Sequence, residues 1–402
     1  MNSSHTIVYS GGSMTLLGLI CLLLSSGCGS SDIQVADGWS ANVDTLDSGE
    51  IVIQNTGAPI WESEKSWQVI EEMRYGNDSG EDTTFLGNIR SFDVDLQGNV
   101  YILDGQTQEI YIYDPSGSLM RIVGGEGEGP EEFTGASAVD VSSNGEIWVV
   151  EMQKGQITIL DSDGNYQEMH RVNSAGWSLF PYPGGFDRVG RYNAVIYGEE
   201  GSPELFARFD ESFTAIDTIK IPDDPVEREF FEFVRDDGAS MRAAIAFQPY
   251  LEWQFSPGGN LWTLFTGTYE LTEMTAEGKI LRRVTQEFEP IPVTREELEK
   301  THEAYKWFTD QGGQIDISRF PRVKPVVTSF FVDDEGNLWV NRAENENHLF
   351  DVFTSEGYFL GQVIFPFSLR SSQPIFRNGL LYGMTVDELG AEVIVRARIE
   401  SP

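Results

Sequence analysis

Beyond an apolar leader the chain keeps three histidines, His170, His302 and His348, and none has a second histidine at helical or hairpin spacing. The ligand set of a zinc site is therefore not expected. The run Asp161-Ser-Asp-Gly-Asn165 offers the oxygen donors of a calcium loop, but its glycine comes too early for an EF-hand and a tight turn explains it. Residues 124–129 are glycine-rich without a following lysine, and Glu126 and Glu128 would repel phosphate. No Gly-x-Ser-x-Gly elbow occurs. What remains is a set of positions six residues after a recurring glycine: Asp104, Glu151, Glu200, Phe265, Arg342 and Thr385. The charged members, with Arg90 and Trp307, are the candidate ligand-facing residues. They could recognise a partner by charge and hydrogen bonding. No catalytic residue is assigned, and metal ligands are left open.

The elements that must position these residues come from an internal repeat. Asp95-Leu-Gln-Gly98-Asn-Val-Tyr101 recurs as Ser142-Ser-Asn-Gly145-Glu-Ile-Trp148, Ser256-Pro-Gly-Gly259-Asn-Leu-Trp262 and Asp333-Asp-Glu-Gly336-Asn-Leu-Trp339. A second turn follows at Gly117, Gly164, Gly278 and Gly357, spaced 19, 19, 19 and 21 residues from the first. Weaker copies around Tyr197 and Tyr382 make six. The segments between turns are short and rich in Val, Ile, Tyr, Trp and Phe, which is strand chemistry. Each copy reads as a four-stranded antiparallel blade, and the recurring aromatics read as plugs between blades. The last copy lacks a fourth strand, and residues 67–75 form an orphan strand able to close the ring and remove its open edges. The predicted fold is all-β, a six-bladed β-propeller closed by an N-terminal strand.

Strand alternation puts both glycine turns of every blade on one face and all other connections on the opposite face. Two insertions, 222–249 and 287–325, belong to that second, loop-bearing face, where binding function is expected. The second carries Thr294-Arg-Glu-Glu297, a capping box, with Leu298, Thr301, Tyr305 and Phe308 on one helical face. A short helix packed on the rim is preferred to a mobile lid.

The chain has 402 residues and a formal net charge of −37. Such a surface repels phosphate backbones, so no nucleic-acid partner is expected. Residues 1–27 hold no charged side chain, and 14–24 form an apolar run of signal-peptide length. The run ends in Ser25-Ser26-Gly27-Cys28, which resembles a bacterial lipobox, although Ser25 stands where leucine is usual and the leader lacks a basic residue. Met1 and Met14 are both candidate starts. The resemblance implies a signal peptide at 1–27, lipid attachment at Cys28, a flexible tether over 28–49 and the propeller over 50–402. With Gly29 after the cysteine, it implies an envelope protein of the outer membrane in a Gram-negative bacterium.

Ile122-Val-Gly-Gly-Glu-Gly-Glu-Gly-Pro130-Glu-Glu-Phe133, followed by Val139-Asp-Val, Gly145 and Trp148, resembles an NHL-type repeat. The similarity to NHL-like six-bladed propellers of bacterial lipoproteins spans roughly residues 67–400, with the third and sixth copies eroded. Such propellers serve as scaffolds, receptors and occasional enzymes. The expectation is a membrane-tethered, non-enzymatic module for a peptide, glycan or protein partner, with no cofactor. The alternative is a hydrolase of gluconolactonase type, whose relatives hold a divalent metal in the central channel, though their ligands have no residue-by-residue match here.

Overall fold

The computed structural model describes residues 3–8, 40–61, 66–76, 86–171, 178–187, 190–197, 205–210, 213–343, 348–370 and 374–401. The chain is a six-bladed β-propeller of four-stranded antiparallel blades. Blade 1 comprises Ile89–Val94, Val100–Asp104, Glu109–Tyr113 and Leu119–Gly124. Blade 2 comprises Ala138–Val141, Ile147–Glu151, Gln156–Leu160 and Tyr166–Arg171. Blade 3 comprises Ser178–Phe186, Tyr192–Tyr197, Leu205–Phe209 and Ala215–Lys220. Blade 4 comprises Leu251–Phe255, Leu261–Phe265, Glu270–Met274 and Ile280–Gln286. Blade 5 comprises Val327–Val332, Leu338–Arg342, Leu349–Phe353 and Phe359–Ile364. Blade 6 takes Ile375–Arg377, Leu380–Val386 and Glu392–Glu400 from the C-terminus and Gln68–Gly76 from the N-terminus. The last two pair antiparallel, which closes the ring as the orphan strand led one to expect.

The repeat motif has a local cause. Asp95 Oδ1 accepts the amides of Gln97 at 2.9 Å and Asn99 at 2.8 Å, and Asp333 Oδ1 those of Glu335 at 3.0 Å and Asn337 at 2.8 Å. The second oxygen takes the aromatic: Tyr101 OH donates to Asp95 Oδ2 at 3.3 Å, and Trp339 Nε1 to Asp333 Oδ2 at 3.0 Å. One carboxylate thus satisfies the turn and holds the polar end of the ring that fills the gap between blades. Gly98 supplies the φ of +86° that the turn requires. Tyr101, Trp148, Trp262 and Trp339 are buried, as their spacing predicts.

Side chains on the innermost strands sew blade to blade. Asp93 Oδ2 accepts Val141 N from blade 2 at 2.7 Å, and Gln254 Oε1 accepts Val332 N from blade 5 at 2.8 Å. Asp140 takes the Tyr192 hydroxyl of blade 3 at 3.0 Å and the Gly185 amide. Arg377 Nε donates to Val94 O at 3.0 Å and so ties blade 6 to blade 1. Burial pushes the Asp93 carboxyl up to about 6 against the pull of Arg377, and pushes Asp140, facing the Asp93 charge, well above the usual range.

The N-terminal segment departs from expectation. The flexible tether foreseen through residue 49 contains a strand, Ser40–Thr45, paired antiparallel with Ile51–Asn55, which runs parallel to the outer strand of blade 4. Ala41 and Ile53 sit in the core with Val284, so alternating apolar residues in a polar stretch were a docking edge rather than a linker. Asn55 then bridges to blade 5, donating to Gly357 O at 3.1 Å and accepting Phe359 N at 3.0 Å. Trp61 N donates to Leu360 O at 2.8 Å. The Trp61 ring leaves no room for a Cβ at Gly361, and Trp67 follows it at 5.1 Å. Residues 40–61 therefore strap the outer rim of blades 4 and 5. Ser3–Val8 adds a further strand beside Ser40–Thr45, within the stretch assigned to the signal peptide.

The two insertions pack on each other. The first carries the hairpin Phe230–Val234 and Ser240–Ala244, the second the helices Arg295–Ala304 and Lys306–Thr309. The capping box forms as expected, with Thr294 Oγ1 accepting Glu297 N at 3.2 Å and Glu297 Oε2 accepting Thr294 N at 2.8 Å. Phe231, Ile245, Tyr305, Phe308 and Phe320 form a separate core with Leu298 against it. Tyr305 OH donates to Ala244 O at 2.5 Å and accepts Ala246 N at 2.9 Å. The helix is anchored on the partner insertion rather than poised as a lid.

Candidate functional site

Both insertions root in blade 4 on the loop-bearing face: one enters its first strand and the other leaves its last. Where that last strand ends, an open cleft of about 900 Å³ separates blade 4 from blade 5. Its walls are Gln54, Asn55 and Thr56 of the N-terminal strap, Gln286 and Phe288 where the second insertion begins, and Arg342 at the end of a blade 5 strand. Gln54 and Thr56 are exposed, and Phe288 is half-buried. The cleft thus pairs amides and hydroxyls with one aromatic surface, the exposed carboxylates of Glu287 and Glu289 and the Arg342 guanidinium. Arg342 Nη1 lies 3.3 Å from Asp351 Oδ2, and the same carboxylate receives Tyr269 OH at 2.6 Å and Gln362 Nε2 at 2.8 Å. Burial raises the Asp351 carboxyl, while Tyr269 and Arg342 hold it down.

Around the start of blade 4's innermost strand lies a second cluster. Asp224, from the first insertion, accepts Leu251 N at 2.5 Å and pairs with Arg228 at 2.7 Å. The Arg228 guanidinium lies 5.2 Å from the Tyr250 ring centroid, and Tyr250 OH donates to Thr328 O of blade 5 at 2.5 Å. Beside them, burial pushes the Glu252 carboxyl up to about 7, with Arg228 opposing and Asp224 reinforcing the shift. Glu252 is on the same side of its strand as Gln254, whose side chain stitches blades 4 and 5.

The residues chosen from sequence do not converge. Asp104 and Glu151 are corrected: both are buried and committed to their own loops. Asp104 accepts Gly87 N at 2.6 Å and Gln106 N at 2.7 Å. Glu151 accepts Thr134 N at 3.2 Å and Gln156 Nε2 at 2.6 Å, and pairs with Lys154 at 2.8 Å. A carboxylate at the end of the second strand satisfies amides of the chain entering that blade, which explains its recurrence without a ligand. Arg90 is exposed, on a bulge of the first blade 1 strand. Trp307 is 49 % exposed, its ring 5.6 Å from Phe308 on the insertion. Arg342 lines the cleft. Glu200 and Cys28 lie outside the described residues.

Residues 79–185 match a family model, DUF5128, described as a 6-bladed beta-propeller. No curated protein matches the chain. Among solved structures, virginiamycin B lyase from Staphylococcus aureus is 12% identical, with a TM-score of 0.43 over 83% of this chain and 99% of its own. An exported protein from Bacteroides fragilis, so described, is 12% identical with a TM-score of 0.48 over 87% and 99%. A DUF4221 family member from Bacteroides vulgatus is 12% identical with a TM-score of 0.45 over 85% and 100%. None of their chemistry transfers to this chain at these levels.

Proposed function

We propose that this chain is an exported, lipid-anchored NHL-like propeller that binds an extended segment of a peptide or protein partner in the cleft between blades 4 and 5. The observation that carries the reading is the gathering of the cleft, both insertions and the N-terminal strap in one sector of the loop-bearing face. Loops that vary on a rigid scaffold are the usual seat of recognition. An open trough rimmed by amides, hydroxyls and the Glu287 and Glu289 carboxylates suits an extended chain, whose backbone needs donors and acceptors along its length. The anchor at Cys28 would hold the disc at the outer membrane, where an acidic surface disfavours anionic lipid and nucleic acid.

The hydrolase alternative fits less well. A channel metal needs converging oxygen donors, and the carboxylates Asp93 and Asp140 of the innermost strands are instead directed at the neighbouring blades, where they take backbone amides. Among the described residues, no group of three His, Cys, Asp or Glu side chains could hold a metal ion.

The test is selection from a displayed random-peptide library on the purified chain. Binders should be lost on the double substitution Gln54→Lys with Glu289→Lys, both at exposed positions of the cleft rim, with the melting transition unchanged. Binders indifferent to that pair would refute the assignment.

A further inference from the structure

A second concavity lies at the opposite mouth of the channel, on the face of the glycine turns that the repeat reading set aside. It measures about 550 Å³, within the range of roughly 300–1,000 Å³ found for small-ligand sites, and is ringed by inner turns of blades 3, 4, 5 and 6. We propose that this concavity is a binding site for a neutral saccharide.

The argument starts from Asn193, on the second strand of blade 3. The residue is 6 % exposed, it lines the concavity, and its Oδ1 has no hydrogen-bond partner. An orphaned buried carbonyl costs roughly 1–3 kcal/mol, so its persistence points to a ligand that donates to it. Its neighbours set the class of that ligand. Three guanidiniums line the wall, and each faces its own carboxylate. Arg191 pairs with Asp187 at 2.6 Å, Arg208 pairs with Asp217 through two bonds of 2.7 Å, and Arg377 lies 3.9 Å from Asp93. An anion therefore meets no uncompensated positive charge. The wall instead offers guanidinium donors beside carboxylate and amide acceptors, and a hydroxyl is the simple ligand group that both gives and takes.

Apolar planes complete the match. Phe206 and Phe255 stack with centroids 4.0 Å apart, and the half-buried Phe255 and Phe376 line the concavity, giving flat surface for the C–H face of a sugar ring. A bowl over the hub, closed by turns from four blades, suits a compact ring rather than an extended chain. Two faces of one disc then serve two ligands.

The experiment titrates the purified chain by calorimetry with a panel of neutral mono- and disaccharides at millimolar concentration, with sodium acetate and phosphate as anion controls. The expected result is binding of at least one saccharide and of neither anion. Asn193→Leu should weaken that binding about tenfold or more while raising the melting temperature, because it removes the acceptor and the buried orphan together. Asn193→Ala provides the same binding readout if leucine does not fit, without the gain in melting temperature, because it leaves a cavity. The Gln54→Lys, Glu289→Lys double variant should bind saccharide as the parent does, which separates this site from the cleft. No saccharide bound, preference for an anion, or affinity unchanged by both Asn193 substitutions would each overturn the proposal.

Discussion

Replacing Glu252 with glutamine probes whether the mouth of the channel holds a carboxyl against its ionisation. In the folded chain this group titrates at about 7 against an ordinary 4.5, chiefly because burial disfavours the charge. A folded pKa above the unfolded one means that the group's contribution to stability is whole below about pH 4.5 and is lost as pH rises through about 7. The full difference amounts to about 3 kcal/mol above pH 8, and to about 2 kcal/mol after discounting for partial solvent access. Glutamine keeps the shape and never ionises. Glu252→Gln should therefore match the parent at pH 5 and exceed it at pH 8.5 by about 2 kcal/mol, or roughly 3 °C in melting temperature. Asp93, pushed up to about 6, also titrates in this interval, but it does so in both proteins and cancels in the difference. Thermal melts of the two proteins across pH 5 to 8.5 give the answer. A difference that stays constant with pH, or a variant less stable at pH 8.5, would show that Glu252 is not the desolvated group described here.

Closure of the ring can be tested at Tyr75, which is fully buried and accepts Arg396 Nη1 at 3.1 Å through its hydroxyl. In denaturant titrations Tyr75→Ala should cost about 3–5 kcal/mol and Tyr75→Phe only about 1 kcal/mol. Tyr305→Phe removes both bonds to the first insertion and should cost about 1–3 kcal/mol, read as faster hydrogen exchange at residues 240–246 with blade 1 unchanged. Cys28→Ala should release the chain from the membrane fraction, and its recovery there with the mass of the processed parent would remove the lipid anchor from the account.

The blades were legible because the repeats carry their own explanation close by in sequence: a turn glycine, a polar residue that caps the turn (Asp95, Ser142, Ser256 or Asp333) and an aromatic three residues after the glycine, which in blades 1 and 5 bonds the capping aspartate. Ring closure was legible from a count of strands. The site was much less so. Asp104 and Glu151 looked ligand-facing because strand direction placed them on the right face, but the loops whose amides they satisfy arrive from 17 residues away. Asp93, Asp140 and Gln254 all stand five residues before their turn glycines, a shared register that the sequence reading did not use and that places each where it stitches its blade to the next. The strap at residues 40–61 was missed because parallel pairing of Ile51–Asn55 with Ile280–Gln286 joins segments far apart in the chain, with no local turn to announce it. The shared core of the two insertions is a tertiary contact of the same kind, invisible to periodicity within either.

The measurement closest to the central claim is hydrogen exchange on the purified chain, with and without a peptide selected from the random library. Slower exchange concentrated at residues 51–56 and 285–289 is the predicted result, with the inner turns around Gly98, Gly145 and Gly336 unaffected. Protection confined to those turns, or to blades 1 and 2, would contradict the assignment of partner binding to the sector of blades 4 and 5.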